Sequence, residues 1–323
     1  MTSPDSLALL LLCLHLGLSD DDSLKPLTLR EWNPLVRRLQ AASIRPADLL
    51  GLSVEDLQTR FDLDAQLATR ITQLLSRADD LHRELGRLAH LGIHPLTRTD
   101  SDYPERYRQR LKDSAPAVLF YAGEKALLGQ PGIAVVGSRH LDEAGQECAR
   151  FVGNACGLSG QVLYSGGAKG VDSLSMESAL EARGTVVGVL ADSLERAVRG
   201  QKEALRRGDL CLVTPYSPNA GFSVGAAMGR NRLIYALADY AIVVASDAET
   251  GGTWAGATET LKHGWVPVFV LEHDAMPEGN RLLLQKGALA FPHPFKEAPV
   301  KLAGWLQEKA KNLPPQPNQP SLF

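Results

Sequence analysis

Apolar residues follow a helical period in the first quarter of the chain. They recur at three- and four-residue spacings in the segments LREWNPLVRRLQAA, SVEDLQTRF and DAQLATRITQLLSRADDLHRELGRL, a pattern typical of short amphipathic helices. Ser53 and Asp64 stand at the start of two of these segments, where a side-chain oxygen can cap a helix. The pattern therefore predicts a small all-helical domain over residues 1–90.

From about residue 132 the apolar residues form short continuous runs separated by helical stretches. The runs cover residues 133–136, 162–164, 185–190, 210–214, 241–245 and 266–271. Continuous apolar strands alternating with helices indicate a parallel sheet covered on both faces. We therefore predict an α/β domain over residues 91–300, with a doubly wound, mostly parallel, Rossmann-like sheet. For residues 301–323 we expect a short helix and then a disordered tail, because KNLPPQPNQPSLF is rich in proline and glutamine.

The segment SLALLLLCLHLGLS near the start of the chain is apolar enough to resemble a signal peptide. It lacks a positive n-region and a small-x-small cleavage site, and it is too short to span a bilayer. A buried first helix is the interpretation that we favour. No other segment approaches membrane-spanning length, so we expect a cytoplasmic protein without a membrane partner.

Composition restricts the partners that the chain can attract. Its 323 residues carry a net charge of −3, so no global basic field draws it to a polyanion, and such a ligand must be met by a local patch. The four cysteines form no CxxC pair, and the eight histidines lack metal-ligand spacing. We therefore expect reduced thiols, as in cytosolic proteins, and neither a metal nor a cofactor.

Four loops that leave predicted strand ends carry the residues of chemical interest. In an open parallel sheet, ligands bind beyond the carboxyl ends of the strands, near the point where the strand order reverses. Glycine-rich turns there let backbone N–H groups approach an anion closely, although a tight turn without a ligand would explain the glycines equally well. The candidate binding residues are Gly137, Ser138 and Arg139; Ser165, Gly166, Gly167, Lys169 and Gly170; Arg230, Asn231 and Arg232; and Gly251 and Gly252.

Two of these arginines favour the anion. Arg230 and Arg232 fall at the predicted N-terminus of the helix NRLIYALAD, where the positive end of the helix dipole disfavours each cation by about 0.3–1 kcal/mol. A carboxylate such as Asp239 or Glu259 could compensate them, and so could a bound anion. We favour the anion because the cations of two other loops, Arg139 and Lys169, are predicted to lie at the same edge of the sheet.

Standard catalytic and nucleotide-binding motifs are missing from the sequence. Gly-x-Gly-x-x-Gly does not follow the first strand of the predicted sheet, GxxxxGK[ST] does not occur, and no Ser-His-Asp or Cys-His arrangement stands on a recognisable elbow. Asp172 and Glu259 could act as acids, but a helix cap for Asp172 and an exposed helix face for Glu259 explain them equally well. The residues therefore favour a binding protein over an enzyme.

Several segments, in this order and spacing, resemble the DprA/Smf family of DNA-processing proteins. They are DSDYPERYRQRLKDSAPAVLFYAGEKALL, IAVVGSR, SGGAKGVDSLS, GRNRLIYALADYAIVVASDAETGG and EGNRLLLQKGA, within residues 93–292. The family belongs to the nucleotide- and nucleic-acid-binding superfamily (SLOG) that includes the cytokinin-activating LOG enzymes. The helices before residue 90 are similar in position to the family's helix-hairpin-helix or SAM-like domain.

The resemblance implies a homodimeric protein that binds single-stranded DNA and helps to load a RecA-type recombinase during transformation or recombination. It implies DNA contacts by the Gly-Ser-Arg loop, the glycine-rich loop and the Arg-Asn-Arg triplet. Backbone amides and arginines hold phosphates without reading sequence, while bases stack in the groove. The chain departs from the family pattern at Met176, where the family has histidine, at Ala227-Met228, where it has Phe-Pro, and at residues 250–253, where it has Ser-Gly-Ser.

Aromatic residues divide into two predicted groups. Tyr164 and Phe222 flank the loops, so they are the expected platforms for base stacking. Trp254, Trp265 and Trp305 are expected to be core or sheet-covering residues.

Two other functions stay open. A LOG-like nucleotide-cleaving enzyme would carry Gly-Gly-x-Gly-Thr-x-x-Glu; GGTWAGATE supplies two glycines and Glu259, but it lacks the second Gly-Thr, and its glutamate comes one residue late. DprA-like proteins also occur in phage-defence and toxin–antitoxin loci. The chain could therefore act as an antitoxin, through a toxin encoded beside it.

Overall fold

A computed structural model of the protein describes residues 3–16 and 24–311. The chain divides into two compact units. The first contains Met1–Gly123, Asp192–Gly200 and Val213–Gly221, and the second contains Glu124–Ala191, Gln201–Leu212 and Phe222–Phe323. The domain boundary that the sequence predicts near residue 90 stays a prediction. The predicted disordered tail begins at Lys311, and its residues 312–323 lie outside the described residues.

The described residues form fourteen α-helices and nine strands. In chain order they are α1 (Pro4–Cys13), α2 (Leu29–Ala41), α3 (Val54–Phe61), α4 (Ala65–Leu75), α5 (Ala78–His90), β1 (Ile93–Thr97), α6 (Glu105–Leu111), β2 (Val118–Gly123), β3 (Gly132–Val136), α7 (Glu143–Ser159), β4 (Val162–Ser165), α8 (Val171–Glu181), β5 (Val186–Val189), α9 (Leu194–Gly200), α10 (Lys202–Arg207), β6 (Leu210–Thr214), α11 (Val224–Leu237), β7 (Tyr240–Val243), α12 (Gly251–His263), β8 (Val268–Glu272), α13 (Glu278–Gln285), β9 (Leu289–Pro292) and α14 (Leu302–Ala310).

The first unit is mainly helical, as its apolar period predicts. Ser53 and Asp64 cap α3 and α4, because their side chains accept hydrogen bonds from the backbone N–H groups of Asp56 and Leu67. Two strands that the sequence pattern did not reveal join these helices. β1 and β2 pair antiparallel, with Pro95 opposite Phe120.

The apolar segment near the start forms α1, whose leucines from 9 to 12 are buried. The prediction of a buried first helix is therefore confirmed over Pro4–Cys13. The buried Arg77 connects the end of α1 with α4. Its guanidinium donates to the backbone carbonyls of Leu11 in α1 and Leu74 in α4. Among the described helices, none is long and apolar enough to cross a membrane.

The second unit contains the predicted parallel sheet. Its strand order is β6-β5-β4-β3-β7-β8-β9. The pairs β3–β4, β4–β5, β3–β7, β7–β8 and β8–β9 are all parallel. The chain thus builds outward from β3 in one direction and returns to β7 on its other side. This doubly wound order confirms the predicted fold class and places the reversal between β3 and β7.

Every residue of β3, β4 and β5 is buried, which indicates that helices cover both faces of this sheet. α7 packs against α8, and α11 packs against α12. The first of these contacts is close. A Cβ atom added at Gly153 of α7 would lie 2.3 Å from the carbonyl oxygen of Ser175 in α8.

Replacing Gly153 by alanine should destabilise the second unit, because the new methyl group forces α7 away from α8. We expect the free energy of unfolding to fall by about 1–3 kcal/mol, measured by urea denaturation. Gly304→Ala is the matched control, since nothing lies within 4 Å of a Cβ atom added there in α14. The control should be neutral or stabilising by about 0.5–1 kcal/mol. Equal effects of both substitutions would contradict the close helix contact.

Candidate functional site

Three strand-end loops meet at the edge of the sheet where the strand order reverses. We call them the β3 loop (residues 137–139), the glycine-rich loop (165–170) and the β7 loop (244–250). The N–H of Ser138 donates to the carbonyl of Ala245 (2.8 Å), which joins the β3 and β7 loops. The N–H of Val171, just after the glycine-rich loop, donates to the carbonyl of Ser138 (3.3 Å). The sequence thus predicted correctly that these loops share one edge.

Glycines make this close approach of the loops possible. A Cβ atom at Gly170 would lie 2.4 Å from the carbonyl oxygen of Ser138, and Gly170 has a φ of +87°. A Cβ atom at Gly137 would lie 2.4 Å from a methyl carbon of Val171. Both positions therefore exclude side chains, so the backbones of the β3 loop and the glycine-rich loop form a continuous surface.

Asp172 holds the glycine-rich loop from its buried side. Its carboxylate accepts hydrogen bonds from the N–H groups of Gly166 (3.1 Å) and Ala168 (3.4 Å). The residue lies in the first turn of α8, whose N-cap is Gly170. The prediction that Asp172 caps this helix is therefore wrong, because its carboxylate is engaged by the amides of the loop that precedes the helix.

Arg230 is the counter-charge of this buried carboxylate. It is only 5% exposed, and its guanidinium Nη1 donates to the carbonyl of Val189 at the end of β5 (2.8 Å). A Cβ atom at Gly166 would lie 1.5 Å from this Nη1 and 2.6 Å from Asp172 Oδ2. Glycine at position 166 therefore leaves the space in which the guanidinium and the carboxylate lie next to the loop backbone.

The charge of Arg230 also acts on the pKa of its partner. Burial raises the pKa of Asp172, while the nearby guanidinium and the two loop amides oppose that rise. Burying two neighbouring opposite charges costs desolvation, and removing one of them leaves the other uncompensated. The hydrogen bonds to Asp172 therefore hold the glycine-rich loop, and the charge of Arg230 compensates the buried carboxylate.

The predicted start of the helix that carries the Arg-Asn-Arg triplet is wrong. α11 begins at Val224, where Ser223 caps it, so Arg230 and Arg232 lie in its middle. The argument that a helix dipole disfavours these cations does not apply there, because the dipole acts within the first and last turns. The glycine- and alanine-rich stretch before the triplet lacks the apolar period by which the helix start could have been found.

The outward side of the loops carries cations and available amides. Arg139 and Lys169 are exposed, and neither forms an ion pair with any described residue. Within the part of the chain that the structure describes, the N–H groups of Arg139, Gly167, Lys169 and Gly170 donate to no protein acceptor. These residues, which we call the anion rim, combine positive charge with backbone donors, as anion sites at glycine-rich loops do.

The remaining predicted residues are not among the four that form the anion rim. Ser165 is buried, and its hydroxyl donates to the carbonyl of Val135 (2.7 Å). The amide of Asn231 lies against α12, where a Cβ atom at Gly252 would approach its Nδ2 to 2.4 Å. Arg232 is half-buried, and the exposed Gly251 is the first residue of α12. Asn231 and Gly252 thus serve the packing of α11 on α12.

The two expected stacking residues have different surroundings. Tyr164 is fully buried, and its hydroxyl donates to the carbonyls of Leu127 (2.9 Å) and Gln130 (2.7 Å). The expectation that Tyr164 is a stacking platform is therefore wrong. Phe222 is 54% exposed, and the guanidinium carbon of Arg139 lies 5.4 Å from its ring centroid. The tryptophans 254, 265 and 305 are half-buried, as expected of residues that cover a sheet.

Asn280 is a site-supporting residue that the sequence reasoning did not identify. Its buried amide accepts from the N–H of Ser246 (2.9 Å) and donates to the carbonyls of Val244 (3.0 Å) and Leu271 (2.9 Å). These bonds fix the β7 loop to the end of β8. The available signal in the sequence was a polar residue directly after Gly279. In the structure, a Cβ atom added at Gly279 would lie 2.2 Å from the carbonyl oxygen of Ser246.

The fold and the rim together define a Rossmann-like protein with a candidate anion-binding edge. Comparison with known proteins identifies the family within this class. The chain matches the family model of DNA recombination-mediator protein A over residues 94–296, which is more than half of its length. It therefore belongs to the DNA recombination-mediator protein A family.

Curated relatives support this membership. The DNA processing protein DprA of Bacillus subtilis (strain 168) is 25% identical over 239 residues, which cover 72% of this chain and 72% of the relative. The DNA processing protein DprA of Streptococcus pneumoniae is 29% identical over 182 residues, covering 54% of this chain and 63% of the relative.

Solved structures of two DprA proteins are among those similar to this chain. The X-ray structure of DprA from Streptococcus pneumoniae has a TM-score of 0.69 at 21% identity, and the match covers 90% of this chain and 94% of that one. This likeness shows the shared fold. DprA from Helicobacter pylori, whose structure describes a single-stranded DNA binding mode, has a TM-score of 0.53 at 26% identity and covers 62% of this chain and 92% of that one.

Removing the guanidinium under the loop should destabilise the second unit. We expect Arg230→Met to lower the free energy of unfolding by about 3–5 kcal/mol, because it leaves the buried Asp172 without its counter-charge. The measurement is urea denaturation followed by circular dichroism. Combining it with Asp172→Asn should cost less than the sum of the two single substitutions, since they remove one interaction.

Lys169→Ala is the matched control for this loss of a positive charge. It removes an exposed cation from the same loop region and should change the free energy of unfolding by less than about 0.5 kcal/mol. If Arg230→Met were as mild as this control, the supporting role of the buried pair would be excluded.

Proposed function

We propose that the chain binds single-stranded DNA at the anion rim. The observation that carries the proposal is the exposure of Arg139 and Lys169 beside the N–H group of Gly167, which donates to no described acceptor. Phosphates satisfy both kinds of donor at once. Because contacts to phosphates carry no information about the bases, the binding should tolerate any sequence.

The charge of the chain agrees with a local site. A net charge of −3 provides no general attraction to DNA. Binding should therefore depend on the few cations of the rim and weaken steeply as salt rises. Family membership and the DNA binding described for the Helicobacter pylori relative support single strands as the ligand.

We assign different roles to the predicted site residues. Gly137, Ser138, Arg139, Gly167, Lys169 and Gly170 form the surface that the strand contacts. Ser165, Gly166, Arg230, Asn231, Arg232, Gly251 and Gly252 support that surface and the helices around it. Of the second group, Arg230 is the residue whose burial most clearly favours support over contact.

The cellular role that we propose is recombination mediation. A protein that holds a strand by its phosphates leaves the bases available for pairing, which suits delivery of the strand to a RecA-type recombinase. A homodimer would present two rims and bind a long strand more tightly than one rim can. The DNA recombination-mediator family of the chain supports this role.

Binding without catalysis is part of the proposal. Asp172, an acid beside the rim, is buried and accepts hydrogen bonds from two loop amides, so its carboxylate does not face a ligand on the outer side.

The LOG-like alternative needs Glu259 as an acid. Release of free base from a nucleoside monophosphate, abolished by Glu259→Gln, would replace our proposal with that activity. Stable co-purification with a toxin encoded beside the gene, without DNA binding, would favour the antitoxin role.

Truncating the rim cations should weaken DNA binding in a salt-dependent way. We expect Arg139→Ala and Lys169→Ala each to reduce the affinity for a labelled oligo(dT). Each should also flatten the slope of log K against log salt by about 0.7, the value for one lost phosphate contact on a single strand. Fluorescence anisotropy across a salt series measures both quantities.

Lys262→Ala is the matched control for these variants. Lys262 lies in the last turn of α12, which begins at the rim edge of the sheet and ends at the opposite one, and it is exposed like Lys169. It should change neither the affinity nor the slope. An equal loss in all three variants would show general electrostatics, and no loss in the two rim variants would reject the site.

A further inference from the structure

The first half of α11 is exposed on most of its sides. No residue from Val224 to Gly229 is buried, whereas Arg230 and most of the residues that follow it are. Val224 is 68% exposed and Met228 is 46% exposed. A Cβ atom added at Gly225 would meet nothing within 4 Å. This half of the helix therefore gains little from packing inside the described part of the protein.

Its sequence stabilises it little as well. The segment VGAAMG contains two glycines, and glycine has the lowest helix propensity after proline. Ser223 caps the helix by accepting a hydrogen bond from the N–H of Ala226. Because most of the stability of a protein helix comes from packing of its apolar face, we expect a partner to cover this half.

The exposed side continues a row of residues that α12 covers further along α11. Positions 224, 228, 231 and 235 are spaced by four, three and four residues, so they lie along one side of the helix. A Cβ atom at Gly252 would lie 2.4 Å from Nδ2 of Asn231, and one at Gly256 would lie 2.7 Å from the ring of Tyr235. Since α12 begins only one residue before Gly252, it covers the two later positions and leaves the two earlier ones open.

Positive charge borders this open part of the row. Phe222 directly precedes the cap of α11 and is 54% exposed, and the guanidinium carbon of Arg139 lies 5.4 Å from its ring centroid. Arg139 forms no ion pair with any described residue. Residues 222–229 contain no charged side chain. An apolar surface with a cation at its border is complementary to a partner that is both apolar and acidic.

We propose that Phe222, Val224 and Met228, which we call the α11 face, dock an acidic amphipathic helix of a partner protein. The apolar side of that helix packs on the open part of the row, as α12 packs on the rest of it. Its carboxylates face Arg139. The inference goes beyond DNA binding and does not depend on it.

Other occupants fit the α11 face less well. A second copy of the chain would bring a second Arg139 to the same place, and like charges that meet at an interface disfavour it. A DNA strand held by its phosphates would satisfy Arg139, but it would leave the aliphatic side chains of Val224 and Met228 in water. An acidic amphipathic helix satisfies the cation and covers the apolar side chains together.

The partner helix and a DNA strand would both use Arg139. Carboxylates beside this guanidinium reduce the positive charge that a phosphate on the anion rim meets. Each ligand should therefore weaken the binding of the other, and by the same factor, because such coupling is reciprocal. A partner of this chemistry thereby loosens a strand that the rim holds.

The test uses three labelled helical peptides of equal length and measures their binding by fluorescence anisotropy. The first has leucines on one side and glutamates on the other. The second has lysines in place of the glutamates, and the third has alanines in place of the leucines. We expect the wild-type protein to bind the first on the order of tenfold more tightly than either of the others. Equal binding of the acidic and the basic peptide, or no binding of the first, would overturn the inference.

Met228→Gln removes an apolar group from the α11 face and keeps the length of the side chain. It should reduce the affinity for the acidic peptide on the order of tenfold. Its affinity for oligo(dT) should stay unchanged, because Met228 is not part of the anion rim. Leu158→Gln is the matched control, since Leu158 is 55% exposed in the last turn of α7. Equal losses of peptide affinity in the two variants would contradict the inference.

The fold of both variants is checked by circular dichroism. Because both side chains are exposed, each substitution should leave the unfolding midpoint within a few degrees of the wild-type value. A lower peptide affinity of Met228→Gln then reports on the α11 face itself.

Competition separates this inference from the proposed function. The acidic peptide should weaken oligo(dT) binding by the wild type and, at the same concentration, have little effect on Met228→Gln. Loss of oligo(dT) affinity in Met228→Gln with peptide binding intact would assign the α11 face to the strand. A change of oligomeric state with peptide binding intact would assign it to contact between copies of the chain. A wild type that binds the acidic peptide but no oligo(dT) would refute the proposed function and support this inference.

Discussion

The glycine-rich loop is held in place by a buried carboxylate and a buried guanidinium. Asp172 accepts hydrogen bonds from the amides of Gly166 and Ala168, and Arg230 lies beside it while donating to the end of β5. Two loop amides are thereby directed inward. The amides of Gly167 and Lys169, between and after them in sequence, have no described acceptor. Asp172 thus occupies two of the loop amides and leaves the neighbouring ones without a described acceptor.

This division explains how an acidic chain can offer a site for a polyanion. Of the four cations expected at the edge of the sheet, Arg230 is used inside, and Arg139 and Lys169 remain on the surface. Glycines at positions 137 and 170 bring the two loops that carry these cations into backbone contact. The rim is consequently small, and it combines backbone N–H groups with two exposed cations.

The sequence predicts the architecture better than it predicts the role of single residues. Continuous apolar runs identify the interior strands of the parallel sheet, because both faces of those strands are buried. The same pattern did not reveal β1, β2 or β9; β1 contains Pro95, and in β9 only Phe291 is buried. β1 and β9 lack the uniform burial that makes a run recognisable.

Among the site residues, those whose position follows from local sequence could be predicted, and those placed by long-range contacts could not. Arg139 and Lys169 could be found because they follow predicted strand ends directly. The burial of Arg230 could not, because it depends on the long-range approach of the middle of α11 to Asp172 and β5. Tyr164 was misplaced for a similar reason. Its hydroxyl is hydrogen-bonded to two carbonyls between β2 and β3, more than thirty residues earlier in the chain. Local sequence does not encode that contact.

The most direct test of the account is a titration of the ¹⁵N-labelled protein with oligo(dT), followed through its backbone amide resonances. The largest shifts should fall on Arg139, Gly167 and Lys169, whose N–H groups have no described acceptor. Gly166 and Ala168 should shift little, because Asp172 already holds them. Shifts of equal size on these two amides, or a largest response at the opposite edge of the sheet, would contradict the account.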